Sequence, residues 1–116
     1  MGAADMPEIG KAKIVLPDRI QPGEVIRVQA VVQHPMDTGF FRDANANLIP
    51  PYFINDVLVN YGDQEVARFE WTSGVSKDPM ISFLLKADRE APLTFHWRDN
   101  KGGDYQSTAD IKFAAA

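Results

Sequence analysis

Apolar and polar side chains alternate along most of this chain with a period of two, the spacing that sends successive side chains to opposite faces of a β-strand. The clearest run is 24–34, EVIRVQAVVQH. Ile26, Val28, Ala30 and Val32 share one face there, and Arg27, Gln29 and Gln33 the other, interrupted only by Val31. Residues 80–87 repeat the pattern with Ile81, Phe83, Leu85 and Ala87 on one side. Residues 93–98 place Leu93, Phe95 and Trp97 inward and Thr94, His96 and Arg98 outward. Residues 105–113 group Tyr105, Ser107, Ala109, Ile111 and Phe113. Strands are also expected at 11–16, 52–61 and 65–71. Turn signals separate them: Pro17, Pro22-Gly23, Gly62-Asp63 and the run Asp99–Asp104. No stretch shows convincing amphipathic helix spacing. About seven short strands joined by tight turns predict an all-β fold, an immunoglobulin-like antiparallel sandwich, with a small barrel as its rival. The domain is expected over 11–113, with a flexible leader at 1–10 and a flexible tail at 114–116.

The alternation fails in one place. From Pro35 to about Pro51 the pattern is irregular, and loops of this length inside a compact domain are usually functional or disordered. Its first part, His34 to Asp43, holds two breakers (Pro35, Gly39), two adjacent aromatics (Phe40, Phe41) and the charge pair Arg42-Asp43. In extended backbone, neighbouring side chains point to opposite sides, so one Phe is expected to pack and the other to face out. The competing expectation is that both lie under the loop as a small satellite core. Aromatic residues and Arg are the usual anchors of interfaces, which favours a contact role.

Composition narrows the chemistry. The chain has 116 residues, enough for one domain that buries roughly two-thirds of its unfolded surface. It has no cysteine, which removes thiol nucleophiles, disulfide exchange, thiolate zinc and blue-copper sites. Net charge is −4 with scattered positive residues, so no basic footprint for nucleic acid is visible. No apolar run approaches the ~20 residues of a membrane span, and the N-terminus reads as lacking a signal peptide. The expectation is a chain that binds neither nucleic acid nor membrane.

Candidate catalytic and metal groups are few. His34 ends one strand, Met36 follows it, and His96 lies on the polar face of another. A small metal or redox domain using these three is one reading; a hydrogen-bonded loop anchor at His34 and a surface imidazole at His96 is the plainer one. Asp37 and Asp43 could be imagined as an acid–base pair, although acidic loop residues more often form turns. Ser73 and Ser76 have no activating signature around them, and Gly102-Gly103 does not open a helix as a phosphate loop would. No catalysis, cofactor or resident metal is expected of this chain alone.

The segments His34-Pro35-Met36-Asp37-Thr38-Gly39, Arg42-Asp43-Ala44-Asn45, Leu48-Ile49-Pro50, Ile54-Asn55, Asp78-Pro79 and Leu93-Thr94-Phe95-His96-Trp97 occur in this order. Together they resemble the SoxZ family, the cysteine-free subunit of the SoxYZ sulfur carrier, over about residues 12–113. The resemblance implies an immunoglobulin-like sandwich that pairs with SoxY. SoxY holds sulfur intermediates of thiosulfate oxidation on a cysteine near the end of a flexible arm. The resemblance further implies transient contact with periplasmic Sox enzymes, and export in company with signal-bearing SoxY. The residues expected to meet partners are His34, Met36, Asp37, Thr38, Gly39, Phe40, Phe41, Arg42, Asp43 and Asn55. The chain departs from the family where polar or basic residues usually replace Phe40 and Phe41, where a Gly often stands near Ala46 or Asn47, and at Pro51-Tyr52. A third reading, a generic adhesion or accessory sandwich, has no sulfur role.

Overall fold

The computed structural model describes residues 9–115. Seven strands run β1 (Ala12–Val15), β2 (Glu24–Val32), β3 (Ile54–Tyr61), β4 (Gln64–Glu70), β5 (Met80–Ala87), β6 (Ala91–Asp99) and β7 (Asp104–Ile111). They form two antiparallel sheets, β1-β2-β5 and β4-β3-β6-β7. This is a sandwich, not a closed barrel, and it has the immunoglobulin-like arrangement in which the fourth strand joins the third. The faces follow the alternation. Ile26, Val28, Ala30 and Val32 are buried on β2, as are Leu93, Phe95 and Trp97 on β6.

β6 begins earlier than expected, at Ala91, and includes Pro92 paired with Asp110. The Pro92 carbonyl accepts the Gly62 N–H at 2.8 Å, just past the last β3–β6 pair, Tyr61 with Leu93. A residue's N–H and C=O point to the same side of a strand, so Pro92 lacks a donor only where β3 has ended. At the same end of the sandwich, just past β7, Ala114 donates its N–H to Ile20 O at 2.9 Å. The backbone is therefore tied down one residue into the segment expected to be a flexible tail. Gly10 likewise donates to Gln33 O at 2.7 Å, whereas residues 1–8 of the expected leader lie outside the described residues.

Aromatic rings from both sheets meet in the core. Phe95 and Trp97, two residues apart on β6, stack with centroids 5.4 Å apart. Phe83 of β5 reaches Phe95 at 6.2 Å and Phe69 of β4 at 6.1 Å, and Trp71 meets Trp97 at 6.2 Å. These tilted and offset contacts suit the ring quadrupoles and close the two sheets on each other.

The segment expected as an irregular loop is an ordered arm folded back on itself. At its root, Asp37 and Tyr52 exchange backbone hydrogen bonds of 2.7 and 3.0 Å. Further out, Arg42 bridges Leu48, with Ile49 N–H on Phe41 O at 2.8 Å and Asp43 N–H on Asn47 O at 2.9 Å. Gly39 makes the bend between these two pairings, at φ 91°, where a Cβ would meet Pro51 Cγ at 2.8 Å. Asp43 closes the tip by accepting the Asn45 and Asn47 N–H groups on Oδ1 at 2.9 and 3.0 Å. Arg42 caps it from the side, donating to Ala46 O at 2.8 Å.

This tip forces Ala46 to φ 63°, a left-handed conformation that costs a non-glycine residue about 1–2 kcal/mol. Relief of that strain is partly offset by the greater freedom glycine has when unfolded. Ala46→Gly is therefore expected to raise stability by about 0.5–1 kcal/mol in equilibrium urea unfolding. A neutral or destabilising result would mean that the tip does not hold this conformation in solution.

Candidate functional site

The site is built where β2, the arm and the β6–β7 hairpin converge. His34 is buried, and its Nδ1 accepts the Met36 N–H at 3.1 Å. A ring nitrogen that accepts carries no proton, so the proton sits on Nε2. Nε2 then donates to Asp99 Oδ2 at 3.3 Å. Tyr105 Oη donates to the same oxygen at 2.8 Å. Oδ1 takes the Lys101 and Gly103 N–H groups at 3.0 and 2.7 Å. The phenol of Tyr105 gives its proton to Asp99, so Tyr52 Oη must be the donor in the 3.2 Å contact between the two hydroxyls. The Tyr52 ring lies 4.5 Å from the His34 ring, and Lys101 Nζ stands over it 4.3 Å from its centroid.

Burial alone would push the Asp99 carboxyl up, away from its charged form. The donors from Tyr105, Gly103, His34 and Lys101 outweigh it and hold Asp99 below the ordinary carboxylate value. Tyr105 moves the other way. Burial, the Tyr52 hydroxyl and the adjacent Asp99 all raise its pKa, so it remains a protonated donor. Gly103 is required here by contact, because a Cβ would collide with Asp99 Oδ2 and Tyr105 Oη.

Two residues hold costly backbone conformations in support of this network. Met36 has φ 50°, and its thioether accepts the Ile54 N–H at 3.3 Å. Asp78, also at φ 50°, accepts the His34 N–H at 3.0 Å and returns its own N–H to His34 O at 3.0 Å. Asn100 extends the hold to the returning limb of the arm. Its Oδ1 accepts the Phe53 N–H at 2.8 Å, and its Nδ2 donates to Pro51 O at 2.9 Å.

The residues expected to meet partners therefore divide. His34 and Met36 are buried and offer no surface; they fix the root of the arm from inside. Asp37, Thr38 and Gly39 are half-buried, and Thr38 Oγ1 accepts the Phe40 N–H at 3.1 Å. Phe40, Phe41, Arg42 and Asp43 are exposed at the outer part, and Asn55 is exposed at the start of β3. Phe40 is 84% and Phe41 68% exposed, joined by Leu48 at 55%. The expectation that one Phe packs, and the expectation that both do, are both corrected. Solvent lies on both sides of the arm at this point, so an extended backbone there has no inside.

His34, Met36 and His96 do not come together. Both ring nitrogens of His34 and the Met36 sulfur are engaged as described, while His96 sits between Leu58 and Gln106 on the outer side of the four-stranded sheet. Among the described residues no three His, Asp or Glu side chains are grouped to hold a metal ion. Asp37 and Asp43 take separate structural parts, one in the root pairing and one in the tip turn. The centre of the network, Asp99 with Tyr105 and Tyr52, was hidden in the sequence within a turn signal and two strands.

Tyr105→Phe removes one charge-assisted donor from Asp99 and is expected to cost about 1.5–3 kcal/mol near neutral pH. A carboxyl depressed in the folded state stabilises above its unfolded pKa of ~3.9, and that stability is lost as pH falls through the folded value. The gap between wild type and Tyr105→Phe should therefore be widest at neutral pH and narrow in acid. Urea unfolding at a series of pH values measures it, and a gap that does not depend on pH would refute the assignment.

Comparison with known proteins comes from family models and solved folds; no curated protein sequence matches. A superoxide reductase (neelaredoxin) from Ignicoccus hospitalis superposes with a TM-score of 0.66 at 18% identity, covering 91% of this chain and 82% of its own. The sulfur carrier protein SoxY from Chlorobium limicola f thiosulfatophilum gives 0.59 at 14% identity, covering 87% and 73%. A hypothetical protein from Pyrococcus horikoshii OT3 gives 0.62 at 15%, covering 87% of each. At these identities the likeness is one of fold. The family model for sulphur oxidation protein SoxZ matches residues 14–110, most of the sandwich from within β1 into β7 together with the arm, and the chain belongs to that family.

Proposed function

We propose that this protein is the non-catalytic subunit of a sulfur-carrier complex, pairing with a SoxY-like subunit whose arm cysteine holds the sulfur intermediates of thiosulfate oxidation. Membership of the SoxZ family supports a sulfur-oxidation role. The single observation that carries the binding reading is the arm itself. It presents Phe40, Phe41 and Leu48 to solvent on an internally hydrogen-bonded frame. Exposed aromatic side chains cost solubility unless something covers them, and on a fixed frame they suit recognition. The sandwich supplies a sheet face or edge to SoxY, and the arm docks the assembled carrier onto Sox enzymes. The complex works in the periplasm, with this subunit exported beside SoxY.

Coexpression with the SoxY-like subunit of the same organism, followed by size exclusion, is expected to give a stable heterodimer. A chain that stays monomeric beside that subunit would sink the proposal. For the arm, Phe41→Ala is expected to weaken binding of the assembled carrier to its thiosulfate-attaching enzyme by about 1–3 kcal/mol in calorimetric titration. The melting temperature should scarcely move, because the side chain is already largely in water. A thermal loss without a binding loss would return Phe41 to a packing role.

A further inference from the structure

Both ring nitrogens of His34 serve the fold, and they serve it in opposite senses. Nε2–H donates to Asp99 Oδ2 at 3.3 Å, and Nδ1 accepts the Met36 N–H at 3.1 Å. Both side chains of the His34–Asp99 pair are shut off from solvent. An imidazolium carries a proton on each nitrogen and accepts nothing. Protonation would therefore spare the contact with Asp99 and abolish the one with Met36. That amide has no second acceptor among the described residues. Met36 holds a left-handed backbone, φ 50°, to present it, so losing the acceptor removes part of what sustains the strain. The next residue, Asp37, exchanges with Tyr52 the two backbone hydrogen bonds that close the arm at its root, 2.7 and 3.0 Å.

Among the described residues, the titratable and charged groups around the ring are Asp99 of β6, Tyr105 of β7, Tyr52 of the arm, Asp78 just before β5 and Lys101 of the β6–β7 turn, with Asp37 on the arm itself. Four donors hold the Asp99 carboxyl below its ordinary value, and Tyr105 is held protonated, so neither changes state in weak acid. Histidine is the side chain whose charge ordinarily changes there. The Asp99 charge draws a proton toward the ring, while the Met36 N–H occupies the only nitrogen able to take it. We infer that His34 is a pH-sensitive latch: the arm is closed at its root only while Nδ1 is unprotonated, and a proton taken up there releases the Met36 amide and opens the pairing of Asp37 with Tyr52. The open form binds one more proton than the closed form. Closure is thus favoured at high pH and lost as pH falls, by at most about tenfold per pH unit for a single proton. The latch belongs to the core of the domain and operates whatever the arm meets. Phe40, Phe41 and Leu48 lie further out on the segment that it secures.

The experiment follows the full chain by nitrogen-15 NMR from about pH 7.5 to about pH 5. Ring nitrogen shifts report the protonation of His34. Amide exchange, corrected for its intrinsic pH dependence, is read at Met36, Asp37 and Tyr52, with the buried strand residues Val28 and Phe95 as reference. At the upper pH, Nδ1 should resonate as a bare nitrogen and Nε2 as a protonated one. On acidification, protection of the three arm amides should fall about tenfold or more, in step with the ring transition, while the reference amides keep theirs. His34→Asn sets a neutral carbonyl oxygen near the place of Nδ1, so its arm protection should not depend on pH over this range. Should that variant fail to fold, the wild-type titration decides by itself. Ring protonation with arm protection unchanged would overturn the latch, as would a ring that stays neutral throughout. A loss shared by Val28 and Phe95 would make the response global unfolding, and one steeper than a single proton allows would implicate Asp99; either overturns it. So would a folded His34→Asn chain that loses arm protection as wild type does.

Discussion

The Asp99 carboxylate accepts four hydrogen bonds while shielded from solvent, and three separate parts of the chain depend on it. Lys101 and Gly103 amides close the β6–β7 hairpin on one oxygen. His34 and Tyr105 take the other, and Tyr105 passes the connection to Tyr52 on the returning limb of the arm. A buried carboxylate with missing partners costs several kcal/mol, which makes the group unforgiving of partial satisfaction. Once complete, it specifies geometry: strand end, hairpin and arm can meet in one way only.

The core and this network do different work. The stack of Phe95 and Trp97, met by Phe83 from the facing sheet and by Trp71 just past β4, holds two sheets together without caring what lies beyond their ends. Hydrophobic contact of this kind is non-directional. The direction of the arm comes from polar contacts at one end of the sandwich, and from residues such as Met36 and Asp78 held in left-handed backbone. Strain at those two positions persists because the Asp78 carboxylate accepts the His34 N–H while the Asp78 N–H donates to His34 O, and Ile54 donates to the Met36 sulfur.

The strands were legible because each has one wet face. Ile26 to Val32 and Leu93 to Trp97 announce their orientation by alternation alone, and Gly62-Asp63 joins β3 to β4 where the turn chemistry says it should. Pairing within the arm was not legible. Asp37 and Tyr52 are far apart in sequence, and with solvent on both sides there is no alternation to report a strand. Asp99 was masked for a different reason: an Asp beginning an Asn-Lys-Gly-Gly run is what any hairpin turn contains, and burial by His34 and Tyr105 is a long-range event. The family motif around His34 mixes two roles, since His34 and Met36 shape the arm from beneath while Arg42 and Asp43 stand in water.

The tip of the arm is closed by its own residues, with Asp43 and Arg42 satisfying the amides and carbonyl that would otherwise demand ordering on contact. A surface already in its bound shape loses little conformational entropy on association. Changes at Phe40, Phe41 or Leu48 would then act mainly on how long a complex lasts, because encounter is governed by diffusion and charge while escape depends on the fit of the anchors. Under the proposed docking role, residence time on a partner is thus set at three exposed side chains that contribute nothing to the core, so it can change without any cost to the fold.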